Sequence, residues 1–134
     1  MIMIIGIDPG KDKCGLAVVD QDLNVRFKAV IKSNSLIDKL KVLKDDYQLQ
    51  VVVLGNGTKS DDIAAKLKGV FKEVYIIDES HSTLEAREYY WKENPRRGWR
   101  RLLPTSMQTP PEPVDDYVAI ILILRYLNKM SKRN

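Results

Sequence analysis

The chain has 134 residues, 44% hydrophobic and 30% charged, with 22 Lys and Arg against 18 Asp and Glu, a formal net charge of +4 and a pI near 9.1. A chain of this length buries a core without disulfide or metal staples, so a single domain over residues 1–134 is expected, and no apolar stretch approaches the ~20 residues that span a bilayer. The single cysteine, Cys14, excludes an internal disulfide and a cysteine-based zinc site, and the basic balance favours a polyanionic partner.

Residues 1–7 are a continuous apolar run of strand length that ends at Asp8-Pro9-Gly10. The run has neither a basic flank nor a small-residue cleavage site, so it reads as a strand rather than a signal peptide, and a cytoplasmic location is expected. A second strand is expected over 15–19, with Cys14 beside it as a small core residue. Asp20-Gln21-Asp22 supplies the next turn, and 25–31 alternates apolar and polar residues as a third, antiparallel strand. Ser35 stands where an N-cap belongs, before a helix over 36–47 whose Leu36, Ile37, Leu40, Leu43 and Tyr47 recur at helical spacing. A short buried strand over 51–54 is broken by Gly55-Asn56-Gly57-Thr58. Ser60 is expected to cap a helix carrying Ile63, Ala64 and Leu67, and a β-branched strand follows over 74–77. A further helix runs from Ser82 to Asn94-Pro95, where proline ends it, and a last one covers 114–129 with Pro113 at its first position. Three meandering strands followed by helix-strand units predict an α/β fold with a mixed sheet, antiparallel then parallel, and helices on both faces.

The acids fall at element ends in this frame. Asp8 closes the first strand, Asp78 and Glu79 follow the strand over 74–77, and Asp115 and Asp116 open the last helix. Ligands of open α/β sheets bind at the carboxyl ends of the strands, where acids from distant parts of the chain can meet. Converging carboxylates repel one another unless a divalent cation neutralises them, and an all-oxygen set suits Mg²⁺ or Mn²⁺ better than zinc. Each acid also has a plainer use: Asp8 as a turn residue, Asp115 and Asp116 as partners of the helix dipole, Glu79 as a solvated residue before a helix. The stretch "NPRRGWRRLLPTSMQTPP" concentrates Arg96, Arg97, Arg100 and Arg101 around Trp99 without one acid, which makes a basic, aromatic loop suited to nucleic acid or simply a solvated surface segment.

"IGIDPGKDKCGLA", "DESHSTLEAR" and "VDDYVAIILILRYL" resemble, in order and spacing, the three motifs of the YqgF/RuvC group of ribonuclease H-like nucleases, over nearly the whole chain. The Asp-Pro-Gly start is similar to the RuvC resolvases, while Asp78-Glu79 followed by Ser82-Thr83 and "VVVLGNGT" is more similar to YqgF proteins. Ser80 stands where the YqgF pattern has arginine, and Gly55-Asn56-Gly57 where Gly-Leu-Pro is common. The resemblance implies a ribonuclease H-like fold and a metal-dependent nuclease with Asp8, Glu79 and Asp115 as metal ligands; spacing in the RuvC manner selects Asp116 in place of Asp115.

It further implies in-line hydrolysis of a phosphodiester with two cations about 3.5–4 Å apart. Lys13 or Lys11 would sit at the phosphate, and Arg96, Arg97, Trp99, Arg100 and Arg101 would lie along flanking nucleic acid. Two substrates are compatible: the 5′ end of precursor 16S ribosomal RNA, or a Holliday junction, for which a homodimer would supply two symmetric cuts. A catalytically silent nucleic-acid-binding module is the alternative outside enzymes. A phosphate-binding ATPase, suggested by Asp8-x-Gly10 and Gly15, would need a second domain to close over its nucleotide.

Overall fold

The computed structural model describes residues 3–57, 59–80, 85–86 and 115–133, the side chains of Asp115, Lys132 and Arg133 excepted. The elements are β1 Met3–Asp8, β2 Lys13–Asp20, β3 Val25–Lys32, a 3-10 turn Ser33–Ser35, α1 Leu36–Tyr47, β4 Val51–Gly55, α2 Ser60–Leu67, β5 Glu73–Ile77 and α3 Asp115–Arg133. The helix expected from Ser82 to Asn94 and the arginine-rich loop lie outside the described residues, apart from Glu85 and Ala86. Among the described residues no helix is long and apolar enough to cross a membrane.

The strands form one sheet in the order β3-β2-β1-β4-β5, with β1·β2 and β2·β3 antiparallel and β1·β4 and β4·β5 parallel. This is the mixed, ribonuclease H-like sheet that the strand pattern and motifs predict. Continuous apolar runs in β1, β2 and β4 follow from a sheet covered on both faces, since alternate side chains of each strand then enter different cores. Ile5, Ile7, Leu16, Val18, Val52 and Leu54 meet Leu36, Leu40 and Leu43 of α1 and Ala64 and Leu67 of α2. Ile4, Ala17, Val19, Val51, Val53 and Ile77 meet α3 on the opposite face. Cys14 is buried in the first of these cores, as its apolar setting predicts, with its Sγ 3.3 Å from Ser33 Oγ.

Helix α3 approaches β1 closely at Gly6, which has no side chain. A Cβ on Gly6 would collide with the Ala119 carbonyl oxygen and the Ile123 side chain, and the backbone at that contact has nowhere to give. All residues from Tyr117 to Ile123 are buried, and Ala86 joins them in the same core, so past its two opening aspartates this helix is apolar around its whole circumference for about two turns.

At element ends two sequence expectations are corrected and a third, Ser35 as the N-cap of α1, holds in position. Ser60 does not cap α2: the N-cap is Lys59, in the left-handed region at φ 57°, and Ser60 is a buried residue inside the helix. The chain turns back at Gly57, whose carbonyl accepts the Ser60 N–H at 3.2 Å, and this starts the helix one residue early. Ser35 holds the N-cap position of α1, but its hydroxyl faces Asn34 Oδ1 at 3.4 Å instead of capping the backbone. Helix α3 starts at Asp115 and runs to Arg133, past the expected end at residue 129, because no Gly or Pro stops it and basic residues suit a helix C-terminus.

The β2–β3 turn is fastened by Asp20, which composition alone did not single out. Its buried carboxylate accepts the Asp22 and Asn24 N–H groups, both at 2.9 Å, and pairs with Arg26 Nε at 2.9 Å. The Asn24 N–H foremost, with Arg26 and Asp22 assisting, holds the Asp20 carboxyl below the usual aspartate range. A carboxyl depressed on folding contributes stability that is complete above the unfolded-state value of about 3.9 and is lost as pH falls through the lower folded value. Melting temperature should therefore drop more steeply below about pH 4 in the native chain than in Asp20→Asn, whose profile should be flatter over that window. Equal acid slopes for the two proteins in thermal melts would refute this role for Asp20.

Candidate metal centre

The parallel strands β1, β4 and β5 bring their carboxyl ends to one edge. Ile7 pairs with Leu54, which sets Asp8 beside Gly55, and Gly55 pairs in turn with Ile77. Strand alternation puts Asp8 on the same face as Ile4 and Gly6, the face covered by α3, and Gly55 on the same face as Val51 and Val53. Asp8 is half-buried there.

Glu79 reaches this edge from the segment after β5. A Cβ on Gly55 would collide with Glu79 Oε2, and one on Gly57 would collide with Glu79 Oε1, so the carboxylate fills a cradle that only glycines leave open. The Pro9 carbonyl borders the same cradle, which places the Glu79 carboxylate next to the chain just beyond Asp8. Glu79 Oε2 is buried and has no hydrogen-bond partner among the described residues. A buried carboxylate oxygen without a donor is costly.

The backbone around Glu79 is held from three sides. The Glu79 N–H donates to Asn56 Oδ1 at 3.1 Å, and the Asn56 N–H donates to the Ile77 carbonyl at 3.1 Å. Asp78 fastens the turn: its Oδ1 accepts the Ser80 N–H at 3.0 Å and the Ser80 hydroxyl at 2.8 Å, and the Ser80 N–H foremost keeps its carboxyl below the usual range. From α3, Arg125 donates to the Asp78 carbonyl and to the Ser80 carbonyl, each at 2.7 Å.

Asp115 opens α3 one turn before Ala119, which rests on Gly6 of β1; its side chain lies outside the described residues. Asp116 is half-buried, and its Oδ1 accepts the Tyr117 N–H at 3.0 Å at the helix start. The structure therefore joins Asp8 and Glu79 at one strand edge. Among the described residues, no three His, Cys, Asp or Glu side chains gather closely enough to hold an ion. Lys13 is exposed at the start of β2, on the alternation face of Gly15 and Ala17. Lys11 instead lines a cavity of about 380 Å³ on the α1 and α2 side, with Gly10, Cys14, Ser33, Lys59 and Lys66. Arg96, Arg97, Trp99, Arg100, Arg101 and His81 lie outside the described residues.

Sequence reading found the acids but missed their supports, Asn56 and Arg125. For Arg125 a signal existed: a lone arginine inside the apolar run from Tyr117 to Leu127 must find partners near its own helix.

The sheet order, its two antiparallel and two parallel pairings and the helices on both faces make a ribonuclease H-like α/β fold, the fold of the RuvC structures. Thermus thermophilus RuvC in complex with Holliday junction substrate covers 97% of this chain and 96% of its own at 16% identity, with a TM-score of 0.54. The fowlpox virus resolvase with its Holliday junction DNA covers 96% and 99% at 15% identity, with a TM-score of 0.56. YeaZ from Pseudomonas aeruginosa shares the fold over 69% of this chain at 13% identity and a TM-score of 0.51, the match spanning 50% of YeaZ. In sequence, the chain is 29% identical over 101 residues to a candidate pre-16S rRNA nuclease of Pelagibacter ubique, covering 63% of this chain and 67% of that protein. No family model matches.

Proposed function

We propose that this chain is a metal-dependent nuclease that hydrolyses phosphodiester bonds, acting in 5′ processing of precursor 16S ribosomal RNA. The observation that carries the reading is the Glu79 carboxylate, with one buried oxygen lacking a partner among the described residues, held in the Gly55–Gly57 cradle at the strand edge that carries Asp8. The donor set fits a hard divalent cation: carboxylate oxygens, a bordering backbone carbonyl and no sulfur. Asp8 and Glu79 would hold Mg²⁺ or Mn²⁺ with Asp115, or with Asp116 in its place. When bound, such an ion polarises a phosphoryl oxygen and makes its bound water acidic.

The chain's own groups supply the rest. Asp8 sits on the central strand and Glu79 in its cradle, so both carboxylates are placed before substrate arrives and need little reorganisation. Lys13, on the same face of the sheet, supplies positive charge toward the scissile phosphate. The arginines at 96, 97, 100 and 101 contribute sequence-independent attraction to the backbone, and Trp99 offers a ring on which an unpaired base stacks.

The RNA substrate takes first place because the relative found by sequence bears an rRNA nuclease name. Cleavage of a Holliday junction by a homodimer is the second reading, favoured by resolvases that match over nearly the full chain. The deciding experiment offers a labelled 5′-extended 16S precursor and a labelled four-way DNA junction, with Mg²⁺ or Mn²⁺ and with chelator, alongside Asp8→Ala. Metal-dependent cutting of the RNA, lost in Asp8→Ala, is expected. Cutting of the junction alone would move the protein to the resolvase reading, and binding without any cutting would make it a silent nucleic-acid-binding module.

A further inference from the structure

Glu79 lies beyond the end of β5, where no strand pairing holds the backbone, yet its carboxylate occupies a cradle too narrow for a single added carbon. Something other than the sheet must hold it there. Arg125 donates from Nη1 to the Asp78 carbonyl and from Nη2 to the Ser80 carbonyl, so one planar guanidinium grips the chain on both sides of Glu79. Glu85 Oε1 accepts from the same Nη2 at 2.8 Å and orients the group. The side chains of this ion pair are 24% and 47% exposed, and pairs so exposed add little to stability, so the geometry of the contact matters more than its strength. Arg125 is itself anchored in α3, between the buried Leu122, Ile123 and Tyr126.

We propose that Arg125 is a positioning residue for Glu79, and that α3 sets the spacing of the metal-binding carboxylates as a rigid body. This rests on the nuclease reading above. One helix carries Asp115 and Asp116 at its start and the brace on Glu79 near its middle, and it is seated on β1 through Gly6, two residues before Asp8. The carboxylates from three parts of the chain are thereby referred to one element. Residues that orient metal ligands typically matter about 10–100-fold for metal affinity or activity. Lysine is a poor substitute, because one ammonium lacks the fork that spans two carbonyls.

The test compares Arg125→Gln and Arg125→Lys with the native chain in three readouts: hydrogen exchange of the Glu79 amide, Mn²⁺ affinity by titration, and kcat and KM for the cleaved substrate. Arg125→Gln is expected to speed exchange at Glu79, weaken Mn²⁺ binding about 10–100-fold and lower kcat by a similar factor, with KM within about twofold. Arg125→Lys should recover only part of this. Should Arg125→Gln fail to fold, Glu85→Gln, which leaves both carbonyl contacts in place, should show a smaller loss of the same kind. Faster exchange at Glu79 with kcat and Mn²⁺ affinity unchanged would overturn the proposal, as would a lowered melting temperature with no change in kcat. A native chain that neither binds Mn²⁺ nor cuts would remove the nuclease reading instead, and the exchange readout would still show whether Arg125 holds the segment.

Discussion

Glu79→Gln is expected to lower cleavage at saturating metal by about 100-fold or more, roughly 3 kcal/mol of transition-state stabilisation, while leaving the metal-free protein at least as stable as the native chain. The two effects have one cause. Glu79 Oε2 is a buried carboxylate oxygen with no donor among the described residues, a cost that removal of the charge relieves. An ion that binds only the folded state offsets that cost and raises stability by mass action. Mg²⁺ should therefore raise the melting temperature of the native chain and leave that of Glu79→Gln nearly unmoved. Asp8→Asn should lose cleavage to a comparable degree, since Asp8 stands on the central strand at the same edge. Thermal melts with and without Mg²⁺, set beside cleavage rates, check both halves. Equal Mg²⁺-induced shifts in native and variant proteins would show that the cradle does not hold the ion.

Gly55→Ala should separate stability from activity even more clearly. The added methyl group would collide with Glu79 Oε2 and press on Leu122 Cδ1 at 3.1 Å. Both obstacles are tips of flexible side chains, so the protein can yield by letting Glu79 swing out of the cradle, at a cost near the low end of the ~1–3 kcal/mol typical of overpacking in chemical denaturation. Cleavage suffers more: disturbing how a metal ligand is held typically costs about 10–100-fold in metal affinity or rate. The same substitution at Gly6 would meet a helix backbone, which cannot swing aside. If Gly55→Ala cleaves at the native rate, the position of the Glu79 carboxylate described here has no bearing on catalysis.

Much of the fold was legible because burial on two faces imposes apolar runs that are hard to mistake. β1, β4 and the segment from Tyr117 to Leu124 read as buried from composition alone, and all described residues in them are buried or nearly so. Helix starts were less legible. A serine before an apolar helix is a good cap only if the preceding chain leaves its hydroxyl free to turn inward, and at Ser60 the Gly57 turn had already drawn the residue into the helix.

The candidate site divides along similar lines. Asp8 could be placed at the strand edge from its position after an apolar run, because a strand end is a local property. Glu79 in isolation read as a solvated residue ahead of a helix, since nothing in its neighbours announces a cradle twenty-odd residues earlier in the chain. Asp20 read as a turn residue and proved to be the buried fastening of the β2–β3 turn, a difference made by Arg26 folding back across the hairpin.

The sequence by itself determined which residues are apolar and at what period, and so the number, order and type of the described strands and helices, together with the acids at their ends and a resemblance to ribonuclease H-like nucleases. Only the tertiary structure decided that the oxygen of Glu79 lies over Gly55 and Gly57, that Arg125 grips both of its flanks from α3, and that Lys11 and Lys13, two residues apart, belong to different faces of the sheet. The physical reason is range. Periodicity and turn chemistry act over a few residues and are written in the chain, whereas the fit of a carboxylate into a gap depends on strands brought together from afar, where the absence of one methyl group matters as much as the presence of a charge.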